Sequence, residues 1–266
     1  MQLIVRAADY AMTESITDGC LRAARDGILT DVGLMTNNDA QAKRAVEEMK
    51  KYPHVSFGQD LNLVSGLPAS DPKDIPSLVD ETGIFISSTR RKKENLFDIP
   101  YEECYREMKL QIQRCIELTG KKPSYLAGHS LSTPEVDKAM EDLAKEYDIL
   151  LDPFSQPGLP VGERWYYKNM KVDPNDRKPA YSLEAQGVTD VTEHIISGGC
   201  KFDLSGRFAM LATHCGYCDG ELQKMSTFSV IRGRELEALC APAIREWIRE
   251  NGIELINYDQ YLAQRG

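Results

Sequence analysis

The feature that most restricts the fold of this chain is a regular alternation between short apolar runs and longer amphipathic segments. The apolar runs, which we predict to be strands, are residues 3–5, 28–35, 54–63, 124–126, 149–151, 209–212 and 253–256. Segments with helical spacing lie at residues 14–25, 39–51, 101–118, 134–147 and 235–250. This alternation predicts an α/β fold with a mostly parallel sheet. A count of about six to eight strands favours a (β/α) barrel-like fold, a variant of the TIM barrel.

Two long stretches interrupt the alternation. Residues 65–95 are rich in Pro, Ser and Asp and include the basic run 90–93, and residues 152–206 are rich in Pro, Gly, Asp and Tyr. Insertions of this length often form lids or binding loops, and a surface excursion is the simpler alternative. We therefore expect a single domain over residues 1–266 that carries both insertions. Trp165, Tyr166 and Tyr167 in the second insertion could line a sugar site or pack under a lid.

Composition excludes several classes of partner. The chain has 32 basic and 41 acidic residues and a formal net charge of −9, whereas a protein that binds nucleic acid usually carries a basic footprint. No run approaches the ~18 apolar residues of a membrane span, and the amino terminus lacks the apolar region of a signal peptide. The seven Cys, an odd number, favour reduced thiols and a cytoplasmic location. Neither a dinucleotide-binding glycine motif nor a P-loop is present.

Polar side chains follow several of the predicted strands. Asp9 follows the first strand, Asp60 and Asn62 lie at the third, His129 follows the next, and His214 follows the run 209–212. Because active sites of α/β barrels lie just past the carboxyl ends of the strands, we expect these residues to converge. Asp9, Asp60 and His129 could together hold a catalytic divalent ion. Carboxylates favour Mg²⁺ or Mn²⁺, and the imidazole also admits Zn²⁺.

Most of these residues also have a simpler explanation. Asp9 could be a turn residue or the N-cap of the following helix, and His129 could be a hydrogen-bonded residue at a strand end. Asp60 is harder to explain in this way, because a carboxylate in a buried strand needs a partner. His214 suits a general acid or base at neutral pH, with a structural histidine as the alternative.

Short motifs occur in an order that is typical of one enzyme family. An opening Ala-Asp-Asp-Phe/Tyr-Gly is matched by residues 7–11, Gly-x-His-x-Asn by residues 58–62, a short motif ending in His by residues 127–129, His-Pro-Gly-Tyr by residues 214–217, and Arg-x-x-Glu-Leu by residues 232–236. In this order the motifs resemble those of the YdjC-like carbohydrate deacetylases. The resemblance extends over most of the chain and is weakest between residues 152 and 206. The resemblance implies a metal-dependent, barrel-like hydrolase that removes an N-acetyl group from an amino sugar or a short, sometimes phosphorylated, oligosaccharide.

The resemblance also implies a role for individual residues. In the family, the first Asp of the opening motif is the general base, the second Asp and two His hold the metal, and the late His is the general acid. Carried over to this chain, Asp9, Asp60 and His129 are the metal ligands, His214 is the acid, and Ala8 stands at the position of the base. The candidate substrate-binding residues are Tyr10, Asn62 and Arg232.

Three positions depart from the family pattern. Ala8 has no group that can accept a proton, Ala11 stands where Gly is usual, and Asp60 replaces a His, which favours Mg²⁺ or Mn²⁺ over Zn²⁺. Ala8 is consistent with an engineered inactivated variant, with a natural member of altered chemistry in which Asp60 is the base, or with a sugar-binding relative without catalysis.

Three functions are therefore open at the level of the sequence. The first is a metal-dependent deacetylase that acts on a small carbohydrate, in which the metal polarises the acetyl carbonyl and binds the attacking water. The second is a binding or regulatory protein that keeps the pocket without turnover. The third is a metal-assisted isomerase, epimerase or lyase that acts on a small carbohydrate. Enzymes of this class are often homodimers, although no segment specifies an interface.

Overall fold

A parallel sheet forms the centre of the computed structural model, which describes residues 1–164 and 182–265. Seven strands build this sheet in the order β5-β4-β3-β2-β1-β6, and β7 pairs with the start of β1. The strands are β1 (Gln2–Tyr10), β2 (Asp31–Leu34), β3 (Ser56–Asn62), β4 (Tyr125–His129), β5 (Leu150–Leu151), β6 (Phe208–Thr213) and β7 (Glu254–Leu255). Every pairing between them is parallel. The α/β prediction is confirmed, and each predicted strand exists with adjusted ends.

Helices connect the strands and cover the sheet. They are α1 (Glu14–Asp26), α2 (Asp39–Met49), α3 (Ser88–Glu94), α4 (Tyr101–Thr119), α5 (Pro134–Tyr147), α6 (Leu183–Gly187), α7 (Val191–Ile196), α8 (Gly220–Met225), α9 (Val230–Cys240), α10 (Pro242–Glu250) and α11 (Tyr258–Gln264). The helix predicted at residues 134–147 is confirmed at both ends. Its start is well defined, because Thr133 caps the amide of Val136 and Pro134 occupies the first turn. Within the described ranges, no helix is long and apolar enough to cross a membrane.

The single helix predicted over residues 235–250 is wrong. The chain breaks at Ala241, so that α9 ends at Cys240 and α10 begins at Pro242. Proline has no amide hydrogen and clashes with the preceding turn, so it starts a helix and cannot continue one. The short helix α11 then follows. The helix α2 is capped by Asn38, whose side-chain oxygen accepts the amide of Gln41.

The strand β1 is paired on both sides, and its residues alternate between two apolar layers. Leu3 and Val5 belong to the main core cluster, which includes side chains of α1, α2 and α9. Ile4 lies in another cluster with Tyr125 and Met210. Since side chains alternate along a strand, Arg6 faces the same side as Ile4, and its guanidinium contacts Tyr125. A charged side chain is therefore buried beside the sheet.

The first insertion is packed against the domain. Glu107 on α4 is buried and accepts hydrogen bonds from the amides of Ala69 and Ser70. Arg91, in the basic run, is only 1% exposed and donates to the carbonyl oxygens of Ile86, Leu96, Ser77 and Leu78. The run is therefore in part a structural anchor. In the second insertion, Trp165, Tyr166 and Tyr167 lie outside the described residues.

Candidate active site

The candidate residues of β1, β3, β4 and β6 meet at the carboxyl ends of these strands. Asp60 pairs with Ala127 between β3 and β4, and His129 ends β4 beside Asn62. At the end of β1 the register with β2 shifts, and Asp9 takes a φ of 62°. A positive φ in a residue other than glycine is strained and is often found at functional sites. This bend presents the carboxylate of Asp9 to its neighbours.

Asp9 is held by two cationic partners. Its Oδ1 lies 2.9 Å from Nδ1 of His129, and its Oδ2 lies 2.7 Å from Nη2 of Arg232. Burial alone would raise the pKa of Asp9, but His129 and Arg232 outweigh burial and hold that pKa well below its usual range. The pKa of His129 is in turn raised, because the attraction of Asp9 exceeds the effect of burial. We call Asp9, His129 and Arg232 the Asp9 cluster.

Asp60 is held differently, by an arginine from the sheet itself. Its Oδ1 forms a buried ion pair with Nη2 of Arg6, and its Oδ2 accepts the amide of Asp9 at 3.0 Å. Nε of Arg6 donates to the hydroxyl of Tyr125 at 2.7 Å, and this hydroxyl donates to Oδ2 of Asp31 at 2.5 Å. We call Arg6, Asp60, Tyr125 and Asp31 the Arg6 network. Every charged group in it has a hydrogen-bond partner, as burial requires.

His214 lies just after β6, close enough to Asp9 for that carboxylate to influence the pKa of its imidazole. Its amide donates to Oε2 of Glu235 at 2.6 Å, and its ring meets the ring of Phe228 edge-on with centroids 5.2 Å apart. Nδ1 of His214 is buried and has no hydrogen-bond partner among the residues that the structure describes. Burial, assisted by Arg232, lowers the pKa of His214 well below its usual range. The imidazole is therefore neutral at pH 7.

Two predicted substrate-binding residues have structural contacts instead. Tyr10 is fully buried, and its hydroxyl donates to the carbonyl of Ala45 at 2.7 Å. Asn62 is 1% exposed, and its Nδ2 donates to Oδ1 of Asn37 and to the carbonyl of Ser65 while its Oδ1 accepts two amides of the following turn. Both side chains are buried and have hydrogen-bond partners within the fold, so a direct contact with a sugar stays a prediction for each. Arg232 contacts Asp9 as part of the Asp9 cluster.

Ala8 precedes Asp9 and is nearly buried, with 6% of its surface exposed. Its methyl group leaves the expected position of the base without an acceptor. Ala11 takes a φ of 74°, a conformation that glycine adopts without strain. The backbone at Ala11 is therefore left-handed, a conformation that favours glycine, although a methyl side chain is present.

The expected metal ligands lie next to one another, but their arrangement does not fit a metal ion. A carboxylate oxygen that accepts one hydrogen bond keeps a second lone pair, so these bonds alone do not exclude an ion. The obstacle is the charge of their donors, because the guanidiniums of Arg232 and Arg6 lie against the two carboxylates and would repel a divalent ion. His129 and Arg232 occupy the oxygens of Asp9, while Arg6 and the amide of Asp9 occupy those of Asp60. Over residues 1–164 and 182–265, no group of three His, Cys, Asp or Glu side chains is arranged to hold a metal.

Arg6 and Glu235 are the site residues that the sequence-based prediction missed. Arg6 carried a signal, because it is a charged residue among the apolar side chains of the first strand. Such a residue in a buried strand requires an acceptor from elsewhere in the fold. Glu235 lies in the Arg-x-x-Glu-Leu motif but has no feature that points to the amide of His214.

The chain matches the family model for YdjC-like proteins over residues 2–250. It belongs to the YdjC-like family. Among curated relatives, carbohydrate deacetylase 2 of Listeria innocua is 33% identical over 97% of this chain and 98% of its own length. A carbohydrate deacetylase of Brevibacillus brevis is 26% identical over 98% and 99% of the two chains.

Solved structures support the fold of this YdjC-like protein. An Enterococcus faecalis V583 protein, named as a candidate cellobiose-phosphate cleavage protein, superposes with a TM-score of 0.72 and 22% identity and covers 98% of both chains. A family 4 carbohydrate esterase from Streptomyces lividans superposes with a TM-score of 0.50 and 9% identity, covering 96% of this chain and 91% of its own. The fold is therefore an α/β fold with a mostly parallel sheet, as the sequence predicted, and closure of this sheet into a barrel stays a prediction.

Proposed function

We propose that this YdjC-like protein is a carbohydrate deacetylase that removes the acetyl group from an N-acetylated amino sugar or a short oligosaccharide, with or without a phosphate. Its curated relatives are named carbohydrate deacetylases, which supports a hydrolase. The observation that carries the proposal is the Asp9 cluster at the strand ends, where a carboxylate orients an imidazole. The expected divalent ion does not fit the donors, so no step is assigned to it.

Removal of an acetyl group requires two proton transfers. Water adds to the acetyl carbonyl, its proton passes to a base, and the C–N bond breaks while the amine receives a proton. Because Nδ1 of His129 faces Asp9, its Nε2 is the nitrogen left for the reacting groups. We assign His129 to deliver the proton to the amine.

His214 is then the group that accepts the proton of the water. The resemblance implies that this residue is an acid, but its lowered pKa makes the neutral imidazole the resting form. A neutral imidazole accepts a proton, which Ala8 cannot do. In this proposal His214 takes over the task of the missing carboxylate, and Arg232 holds Asp9 in place.

The test is acetate release from N-acetylglucosamine oligomers and their phosphorylated forms, measured by an enzyme-coupled assay and by NMR of the products. We expect His129→Gln to lower kcat by about 100-fold or more, which is the usual contribution of general acid–base catalysis. His54→Gln is the matched control, because His54 is exposed and its Nε2 contacts only the carbonyl of Ala24. Equal rates in the two variants would contradict the role of His129, and a rearranged sugar without acetate would indicate an isomerase or lyase.

A sugar-binding protein without turnover is the second candidate, and Ala8 is the observation that favours it. Titration calorimetry with the same oligomers measures binding independently of acetate release. In a deacetylase that is slow because it lacks the usual base, Ala8→Asp should increase acetate release. Binding without acetate from either the natural chain or Ala8→Asp would establish the second candidate in place of the first.

A further inference from the structure

We propose that the guanidinium of Arg6 is a built-in cation that takes the place of a divalent metal in this site and excludes the metal from it. The inference concerns the cation in the active site of the proposed function. It rests on the geometry of that site and does not require that the protein releases acetate.

The position of Arg6 is fixed from several directions. Its side chain is 2% exposed, and it donates through Nη2 to Asp60 and through Nε to Tyr125. The guanidinium carbon lies 5.1 Å from the ring centroid of Tyr125 and 4.9 Å from that of Phe154. Arginine is charged at every pH at which a protein is folded, so this positive charge is permanent.

Two fixed cations lie against the carboxylates that a metal would need. The carboxylate of Asp9 contacts the guanidinium of Arg232, and the carboxylate of Asp60 contacts that of Arg6. Asp31 adds a third carboxylate, but it is joined to Arg6 through the hydroxyl of Tyr125. A divalent ion that approached Asp9 and Asp60 would be repelled by both guanidiniums, and an ion that displaced Arg6 would leave a buried guanidinium without its partner, which is strongly unfavourable.

Asp60 carries the negative charge that the buried guanidinium of Arg6 requires. A histidine at this position would be a good metal ligand but a poor partner for Arg6, because a neutral imidazole does not compensate a positive charge and a protonated imidazole repels it. A carboxylate compensates an arginine fully. We infer that Arg6 and Asp60 act as one unit, and that Asp60 serves Arg6 and not Mg²⁺ or Mn²⁺.

The experiment measures metal binding by the tag-free full chain, without any sugar. The natural protein and the double variant Arg6→Gln/Asp60→His are equilibrated with Zn²⁺ or Mn²⁺, and metal per chain is measured by plasma mass spectrometry after dialysis. We expect the double variant to bind one ion and the natural protein to bind it about 100-fold more weakly or worse. The same pair of substitutions at the exposed ion pair, Arg25→Gln/Asp26→His, is the control and should gain no metal site.

Each result decides the proposal. A stoichiometric ion in the natural protein that is lost in Asp9→Asn would overturn it. A folded double variant that also binds no metal would overturn the claim that Arg6 is what excludes the ion. If the double variant does not fold by circular dichroism, Arg6→Gln alone replaces it, with the same two outcomes. Because no sugar is present, these results are independent of acetate release and so of the proposed function.

Discussion

The two sides of the strand-end site hold their carboxylates in contrasting ways. In the Asp9 cluster, the side chain of His129 is 15% exposed, so the imidazole can meet a ligand. In the Arg6 network, the side chains of Arg6 and Asp60 are only 2% and 4% exposed. The Asp9 cluster therefore has a side chain that a ligand can reach, whereas the Arg6 network is an enclosed set of paired charges inside the fold. The same strand, β1, supplies Asp9 to the first and Arg6 to the second.

The largest expected effect comes from breaking the enclosed side. Arg6→Met leaves Asp60 buried without its cation, so we expect it to lower the free energy of unfolding by about 3–5 kcal/mol in urea denaturation. Arg25→Met, which breaks the exposed pair with Asp26, should cost less than about 1 kcal/mol. Adding Asp60→Asn to Arg6→Met should recover part of the loss, because both charges are then removed. Equal losses in the buried and exposed single variants would show that the Arg6 network contributes no special stability.

A smaller effect should come from Asp31, at the far end of the Arg6 network. Burial raises its pKa from 3.8 to about 6, against the opposing effect of Arg6. The folded state therefore binds more protons than the unfolded state between about pH 4 and 6, and stability falls as pH rises through this window, by about 3 kcal/mol from this group. Unfolding measured from pH 4 to 7 should show a flatter profile in Asp31→Asn. The exposed Asp98→Asn is the control, and an identical slope in both variants would contradict this assignment.

The smallest expected effect tests the strain beside the Asp9 cluster. Ala11→Gly relieves a φ of 74°, and we expect the free energy of unfolding to rise by about 1 kcal/mol. Ala263→Gly, in the exposed part of α11, should instead lower it by about 0.5–1 kcal/mol, because its backbone is helical. The same substitution thus has opposite signs at two positions. A loss at both would mean that Ala11 is not strained.

The sequence predicted the order of strands and helices well, because apolar periodicity reflects burial that the fold must satisfy. It also placed Asp9, Asp60 and His129 together, since the carboxyl ends of parallel strands share one edge. It did not predict the burial of Tyr10 and Asn62, because a position within a motif does not indicate in which direction a side chain points.

The partner of a buried charge was the other limit of prediction. The acceptor of Arg6 lies 54 residues away in Asp60, and that distance carries no local pattern. A charged residue in an apolar strand indicates that an acceptor exists but not which one it is. The same limit applies to Glu235, whose carboxylate accepts the amide of His214. No local sequence pattern links these two residues, which come together only in the folded chain.

The pairing of β1 with β6 and β7 has a consequence for the rate of folding. Gln2 pairs with Phe208 and with Glu254, which lie more than 200 residues further along the chain. Contacts between residues so far apart in sequence form slowly, because a long loop must close before they are made. Until β6 and β7 pair with it, β1 has an exposed edge, and we expect a folding intermediate with that edge open to be prone to aggregation.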